Sequence, residues 1–335
     1  VRRITQHAAI RWGITILFSA VIVVLAWRTL DFGLVWDTIR QGQWAYLLPS
    51  TLLNVLTVGT IVRRWQHLLA FRAKFLHCLA ANQIGAYLNT LLPLRLGDLT
   101  RAMVLRRHNP DITMVAILSS IGAELTFDMG VLMILLGMLV MVLPLPPLLA
   151  NAGGVLAVLT AIAVISILLL ARQPHTIQSR ILPILDRVLP EQLYSIVVAL
   201  FDRLQDGVQS LRSNRTVAIV FSYTALGYII QIVSNWLLML VFLPNAGLDL
   251  GLVALVGAGL GLAVPLLPGA AGTYELAITL LLAAVGVQAE IAAAFALTLH
   301  GQQVAMTLLM GSGFMLYEGI SVQEARNLAP QQENM

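Results

Sequence analysis

Between Met129 and Ala171 the chain runs for 43 residues without a single Asp, Glu, Lys or Arg. A membrane-crossing helix needs about 20 apolar residues, so this stretch has room for two crossings and a turn. Further uncharged stretches cover 41–62 (22 residues), 75–94 (20), 216–248 (33), 250–274 (25) and 291–317 (27). A soluble domain carries about 25% charged residues, whereas this chain carries 11%, with 59% hydrophobic and a mean hydropathy of +0.86. No soluble core shelters that much apolar chain. The fold class is an all-α polytopic membrane protein.

The placement of the charges orients it. Expected spans are 12–30, 44–62, 112–143, 155–171, 216–243 and 291–316, with 144–154 as a turn and 244–250 as a short loop. On that reading 18 of the 20 basic residues share one side, leaving Arg28 and Arg40 for the other. Basic residues favour the cytoplasmic face, so both termini are expected there. The expected location is the plasma membrane, the inner membrane of a bacterium or archaeon. The net charge of +4 and pI near 9.6 follow from this bias, and no nucleic-acid partner is expected. Cys78 is the single cysteine, which excludes a disulfide framework and a thiolate metal cluster. No metal and no cofactor are expected.

The same count constrains 75–94. Basic clusters flank it on both sides: Arg63, Arg64, Arg72 and Lys74 before it, and Arg95, Arg101, Arg106 and Arg107 after it. A plain crossing would strand one cluster outside. The reading is a re-entrant hairpin, and Asn82, Gln83, Gly85, Asn89 and Pro93 interrupt its apolar pattern. Broken backbone at that depth is tolerated when it is buried in protein or lines a wet cavity.

Residues 251–287 form the counterpart, broken by Pro265, Pro268, Gly269 and Gly272. Pro93 and Gly97 sit in a Leu-Pro-x-x-x-Gly run that recurs at Pro268 and Gly272, each followed by a carboxylate, Asp98 or Glu275. Each half then reads as three spans plus a broken hairpin, and an odd number of crossings makes the two copies inverted. Paired Gly/Pro-interrupted segments point to a transporter's binding site. The domains follow as 1–171 (first repeat and the first span of the second), a cytoplasmic amphipathic linker at 172–215, the rest of the second repeat at 216–317, and a tail at 318–335.

Charge inside the membrane is the strongest functional signal, since at a helix centre it costs roughly 2.5–3.5 kcal/mol on insertion scales. Glu124 and Asp128 are one turn apart and share a helix face. They read either as structural partners of nearby arginines or as ligands for a cationic head group or a proton. Arg95, Asp98 and Arg101 read either as an interfacial salt-bridge cluster or as a phosphate site, which guanidinium binds bidentately. Glu275, in a glycine-rich break without a basic neighbour in sequence, reads as functional. Asn54, Asn82, Asn89, Gln231, Asn235, Gln302 and Gln303 are polar residues of the kind that hydrogen-bond between membrane helices, while a mid-span His300 can titrate. The spacing of Gly257, Gly259 and Gly261 suggests close helix approach.

In order along the chain stand Arg64-Trp65 with Leu68-Leu69, then Asn89-x-x-Leu92-Pro93-x-x-x-Gly97-Asp98-x-x-Arg101, then Glu124-x-x-x-Asp128, then Pro268-Gly269-Ala270-Ala271-Gly272-x-x-Glu275. This ordered set resembles the lysylphosphatidylglycerol synthase transmembrane-region family, flippase-like membrane proteins, over roughly residues 12–317. The resemblance implies a module that moves lipids or lipid-linked head groups between leaflets. Only 18 residues follow Tyr317, so the soluble aminoacyl-transfer domain of bifunctional members is not expected here. Two positions depart from the family pattern: His300 stands where an arginine is common, and Gly269-Ala270 replaces a glycine pair.

The expected function is lipid translocation, not catalysis, with Arg95 and Arg101 on the phosphate. Asn89, Asp98, Glu124, Asp128, Glu275 and His300 complete the substrate site. The expected partner is a membrane lipid; a homo-oligomer and a separate enzyme that makes the lipid are both compatible with this. Two alternatives stay open: a membrane transferase acting on a polyprenyl-phosphate or phospholipid, and an ion-coupled transporter of a small solute.

Overall fold

The computed structural model describes residues 30–91, 97–142, 209–263 and 268–320, with isolated helical positions between 158 and 198. The described residues are helical throughout, without strands. Nine helices are described in full: α1 (Phe32–Arg40), α2 (Leu47–Leu68), α3 (Phe75–Leu91), α4 (Gly97–His108), α5 (Met114–Val142), α6 (Asn214–Met239), α7 (Leu248–Ala263), α8 (Thr273–Ala284) and α9 (Ala289–Glu318). Among them four segments are long and apolar enough to cross a membrane: Trp44–Leu68, Met114–Leu139, Asn214–Met239 and Ala289–Glu318. The expected first span, the 144–154 turn, and most of the 155–171 span and the 172–215 linker lie outside the described residues.

Helix ends follow local chemistry. Asp31 caps α1, its Oδ1 accepting from the N–H of Gly33 and Leu34, and Ser213 caps α6 through the N–H of Thr216. Both satisfy donors that a first turn leaves open. Gly319, at φ 62°, closes α9 in the left-handed conformation, a common helix stop. Two boundaries differ from expectation. α2 runs to Leu68, six residues past the expected end at 62, so Arg63 and Arg64 are helical. The first break is followed by a second helical arm, α4, so Asp98 and Arg101 belong to that arm instead of trailing behind it.

The backbones of α3 and α4 touch. A Cβ added to Gly97 would overlap the Gly85 carbonyl, and one added to Gly85 would lie 2.7 Å from Arg101 Cβ. That approach brings Arg101, one turn beyond Gly97, into the protein. α7 packs equally closely on α8, where Gly257 and Gly261 face Ile278 and Tyr274. Between those two helices the chain makes a short 3-10 turn, Pro268–Ala270, with left-handed backbone at Gly269 (φ 64°), Ala270 (57°) and Gly272 (87°). This turn abuts the end of α3: a Cβ on Gly269 would sit 3.6 Å from the Thr90 carbonyl.

Two cores result. One gathers Val62, Trp65, Ile84, Leu88, Leu105 and Ile117; the other gathers Leu132, Leu238, Val253, Ile278, Phe295 and Leu299. α5 belongs to both, its first half to one and its second to the other. Glu124 and Asp128 sit at the changeover.

Candidate functional site

At that changeover three helices bring their charges together and a fourth adds a hydroxyl. Arg64 of α2 donates through Nη2 to Glu124 Oε1 at 2.7 Å and to Asp128 Oδ2 at 3.0 Å, and through Nη1 to Asp128 Oδ1 and to the Thr224 hydroxyl of α6. Arg101 of α4 pairs with the other Glu124 oxygen at 2.7 Å and lays its guanidinium 3.8 Å from the Trp65 ring centroid. Trp65 is fixed in turn by its Nε1–H donating to Ser120 Oγ. Two arginines, one glutamate and one aspartate make the cluster formally neutral, the condition under which charge persists in a dry interior. Arg64, Arg101 and Glu124 are nearly inaccessible, while the Asp128 side chain stays 27% exposed.

That exposed edge opens on a cavity of about 320 Å³. Its polar wall carries Asn89, Asp128, Tyr228, Tyr274, His300 and Gln303, and Leu125, Met129, Leu132 and Leu262 supply an apolar wall. A second cavity of about 240 Å³ shares Tyr228, Tyr274 and Gln303 and extends to Asn54 and Gln231. Tyr228 donates its hydroxyl to the Asp128 carbonyl, and Tyr274 donates to Gln303 Oε1.

The same cavity touches a second pair through His300. Glu275 Oε1 is 2.6 Å from His300 Nδ1, and its Oε2 accepts from the Gly272 N–H at 2.7 Å. One carboxylate thereby caps α8 and ties the break to α9. The Tyr274 ring packs on the imidazole at 4.7 Å between centroids. The first break is plugged in a related way. Asn89 Oδ1 accepts the Gly97 N–H at 2.8 Å, and Asn89 Nδ2 donates to Asp98 Oδ1.

The expected site residues therefore divide. Asn89, Asp128 and His300 line the cavity, and Glu275 stands behind His300. Asp98 lies behind Asn89 at the start of α4. Arg101 and Glu124 are shut into the ion cluster, with Arg101 turned to Glu124 and Trp65 instead of to open space. Pro93 and Arg95 lie outside the described residues. Sequence reasoning did not select Arg64, Tyr228, Tyr274 or Thr224 as site residues. Arg64 had a readable signal: Ser50, Asn54, Thr57 and Arg64 recur at helical spacing along α2 and are all buried, a polar stripe in an otherwise apolar span.

These features define a class: an all-helical membrane protein whose polar centre is built from paired buried charges beside interrupted helices. Residues 12–311 match the family model described as the lysylphosphatidylglycerol synthase TM region. The chain belongs to that family. No curated protein and no solved structure matches it.

Proposed function

We propose that this protein is a flippase-like lipid translocator of the plasma membrane. In this reading a head group passes through the cavity between two re-entrant hairpins, α3–α4 and α7–α8, the acyl chains stay in the bilayer, and both termini face the cytoplasm. One observation supports it most: a polar-walled cavity lies beside two helix breaks inside a bundle that is otherwise apolar. Interrupted segments in corresponding positions of two halves mark the binding site in inverted-repeat transporters.

The charges support a hydroxylated or cationic head group over a bare phosphate. Among the described residues the cavity wall presents Asp128 and His300, with Glu275 behind the imidazole, and Arg64 and Arg101 are spent on Glu124 and Asp128. The helix N-termini beside the breaks, natural anion sites, are occupied by Asn89 and Glu275.

The test is reconstitution with fluorescent lipids of neutral, anionic and aminoacylated head group, read by chemical quenching of the outer leaflet. Protein-dependent movement of one class, slowed at least about tenfold (1.4 kcal/mol of barrier) in Asp128→Asn, is expected. Failure to move any of the three, or full activity in Asp128→Asn, refutes the reading. A transferase reading draws on one feature, the imidazole oriented by Glu275, which has the arrangement of a general base. Release of a modified lipid from a phospholipid donor would favour it.

A further inference from the structure

On the lipid-facing side, α2 and α9 enclose a groove of about 560 Å³, lined by Trp44, Leu47 and Val55 on one flank and by Gly301, Ala305 and Leu309 on the other. Its few polar groups are already engaged: Thr51 and Thr298 donate to carbonyls of their own helices. The space is open, since a Cβ added at Gly301 would meet nothing within 4 Å. From Thr298 to Met310 the groove follows about 18 Å of helix at 1.5 Å per residue, close to one leaflet's share of a hydrocarbon core about 30 Å thick.

The groove leads inward. Met306 lines both it and the second cavity, which shares walls with the first. Gln302 lines the groove and hydrogen-bonds to Asn54, which lines the second cavity. Its Nε2 donates to Ser50 Oγ at 3.1 Å and to Thr51 Oγ1 at 2.8 Å, and its Oε1 accepts from Asn54 Nδ2 at 3.3 Å. These bonds run between side chains, so they part without disturbing either helix backbone. Interhelical hydrogen bonds in membranes average only about 0.6 kcal/mol, which makes such a seam easy to open. An apolar slot of one leaflet's length outside, a polar cavity inside and a weak polar clasp between them fit an amphiphile in each part.

We propose that the α2–α9 seam is the lateral portal of the transport path: the groove holds one acyl chain of a membrane lipid, and the Gln302 clasp opens for the head group. This rests on the translocator reading and adds the place of entry.

Thr51→Cys and Gln302→Cys in a Cys78→Ala background place a thiol on each flank, to be bridged by a short bis-methanethiosulfonate and released by reduction. Vesicles of phosphatidylcholine and phosphatidylglycerol with fluorescent phosphatidylglycerol supply the substrate. Bridged protein is expected to move lipid at least about tenfold more slowly than the same sample after reduction, about 1.4 kcal/mol of barrier. Equal rates before and after reduction, with active wild type, overturn the portal. Independently of transport, a phospholipid with a photoactivatable acyl chain is expected to label Val55, Ala305 or Leu309. Labelling confined to other helices overturns the proposal even if wild type moves no lipid, an outcome that would separately refute the translocator reading. Disulfide-linked dimers of Ala305→Cys would give the groove to a second copy and overturn the acyl-chain assignment.

Discussion

Glu124→Gln is the most exacting perturbation of the buried charges, because it keeps the side chain's shape and removes only its charge. Glu124 stands between Arg64 and Arg101, 2.7 Å from a guanidinium nitrogen on each side. After the exchange Arg64 still has Asp128 and Thr224. Arg101 keeps the Trp65 ring, a cation–π contact that supplies about 2 kcal/mol when desolvated. The loss therefore falls on one pair, and breaking a buried pair by removing one partner costs about 3–5 kcal/mol. At about 2 °C per kcal/mol for a chain of this size, the unfolding midpoint should drop by about 6–10 °C. The assay is built in: Cys78, the chain's single cysteine, is fully buried, so a thiol-reactive fluorophore reports unfolding in detergent. Glu124→Gln with Arg101→Leu removes the stranded charge together with its partner and should recover most of the drop, as neutral replacement of buried pairs often does. A Glu124→Gln midpoint within about 1 °C of wild type, or a double variant no better than the single, would refute the view that this cluster is a structural core.

Three further outcomes are expected. Gly97→Ala forces a methyl into the Gly85 carbonyl and should destabilise by about 1–3 kcal/mol through overpacking; Gly59→Ala, whose Cβ meets nothing within 4 Å, should leave the same thiol-labelling midpoint unchanged or raised. Gly272→Ala, at φ 87°, should lose about 1 kcal/mol or more of stability and loosen the α8 cap, read as faster hydrogen exchange at residues 272–276. His300→Ala takes away the imidazole that lies 2.6 Å from Glu275 Oε1 and should strengthen binding of a cationic lipid about threefold or more (about 0.6 kcal/mol), read by titrating the reconstituted protein with that lipid.

Four of the six expected spans and the places where the helices are interrupted were legible because they rest on length and on residue type, which a bilayer constrains directly. The four long segments, the helix pair around Pro93 and the helix pair around Pro268 all follow from apolar runs and their interruptions. The partners of the charges were not legible. Arg63 and Arg64 are adjacent and look alike in sequence, but helical rotation of 100° per residue separates their fates. Arg63 points outward over the Phe75 ring, and Arg64 turns inward to Glu124 and Asp128. Counting both as loop charges hid the principal partner of the carboxylates. For Arg101 the sequence left a salt-bridge cluster and a phosphate site open, because nothing local in it shows that Gly85 and Gly97 let α3 and α4 meet and carry the guanidinium to Glu124. The cavity's tyrosines come from α6 and α8, which reach one another only in the folded bundle.

The two breaks share more than a six-residue pattern. In each, the helix that follows the break carries a carboxylate in its first turn, Asp98 in α4 and Glu275 in α8, where a helix N-terminus is positive. In each, a side-chain oxygen closes the first backbone donor: Asn89 takes the Gly97 N–H, and Glu275 takes the Gly272 N–H. The second member of each pair differs, and the difference assigns roles. Asp98 accepts from Asn89, which reaches across the break from the end of α3, a bond between the two arms of one helix pair. Glu275 is held by His300 of α9, so the second break is tied to a membrane-spanning helix. Movement of α9 against α8 would thus strain the second break directly, whereas the first break meets α9 through α3, where Gly311 packs on Tyr87. Glu275→Gln should therefore slow transport at least about tenfold (1.4 kcal/mol of barrier), whereas Asp98→Asn, which keeps an acceptor for Asn89, should change the rate by no more than about twofold (0.4 kcal/mol of barrier). Equal effects of the two exchanges would rule out a division of labour between the breaks.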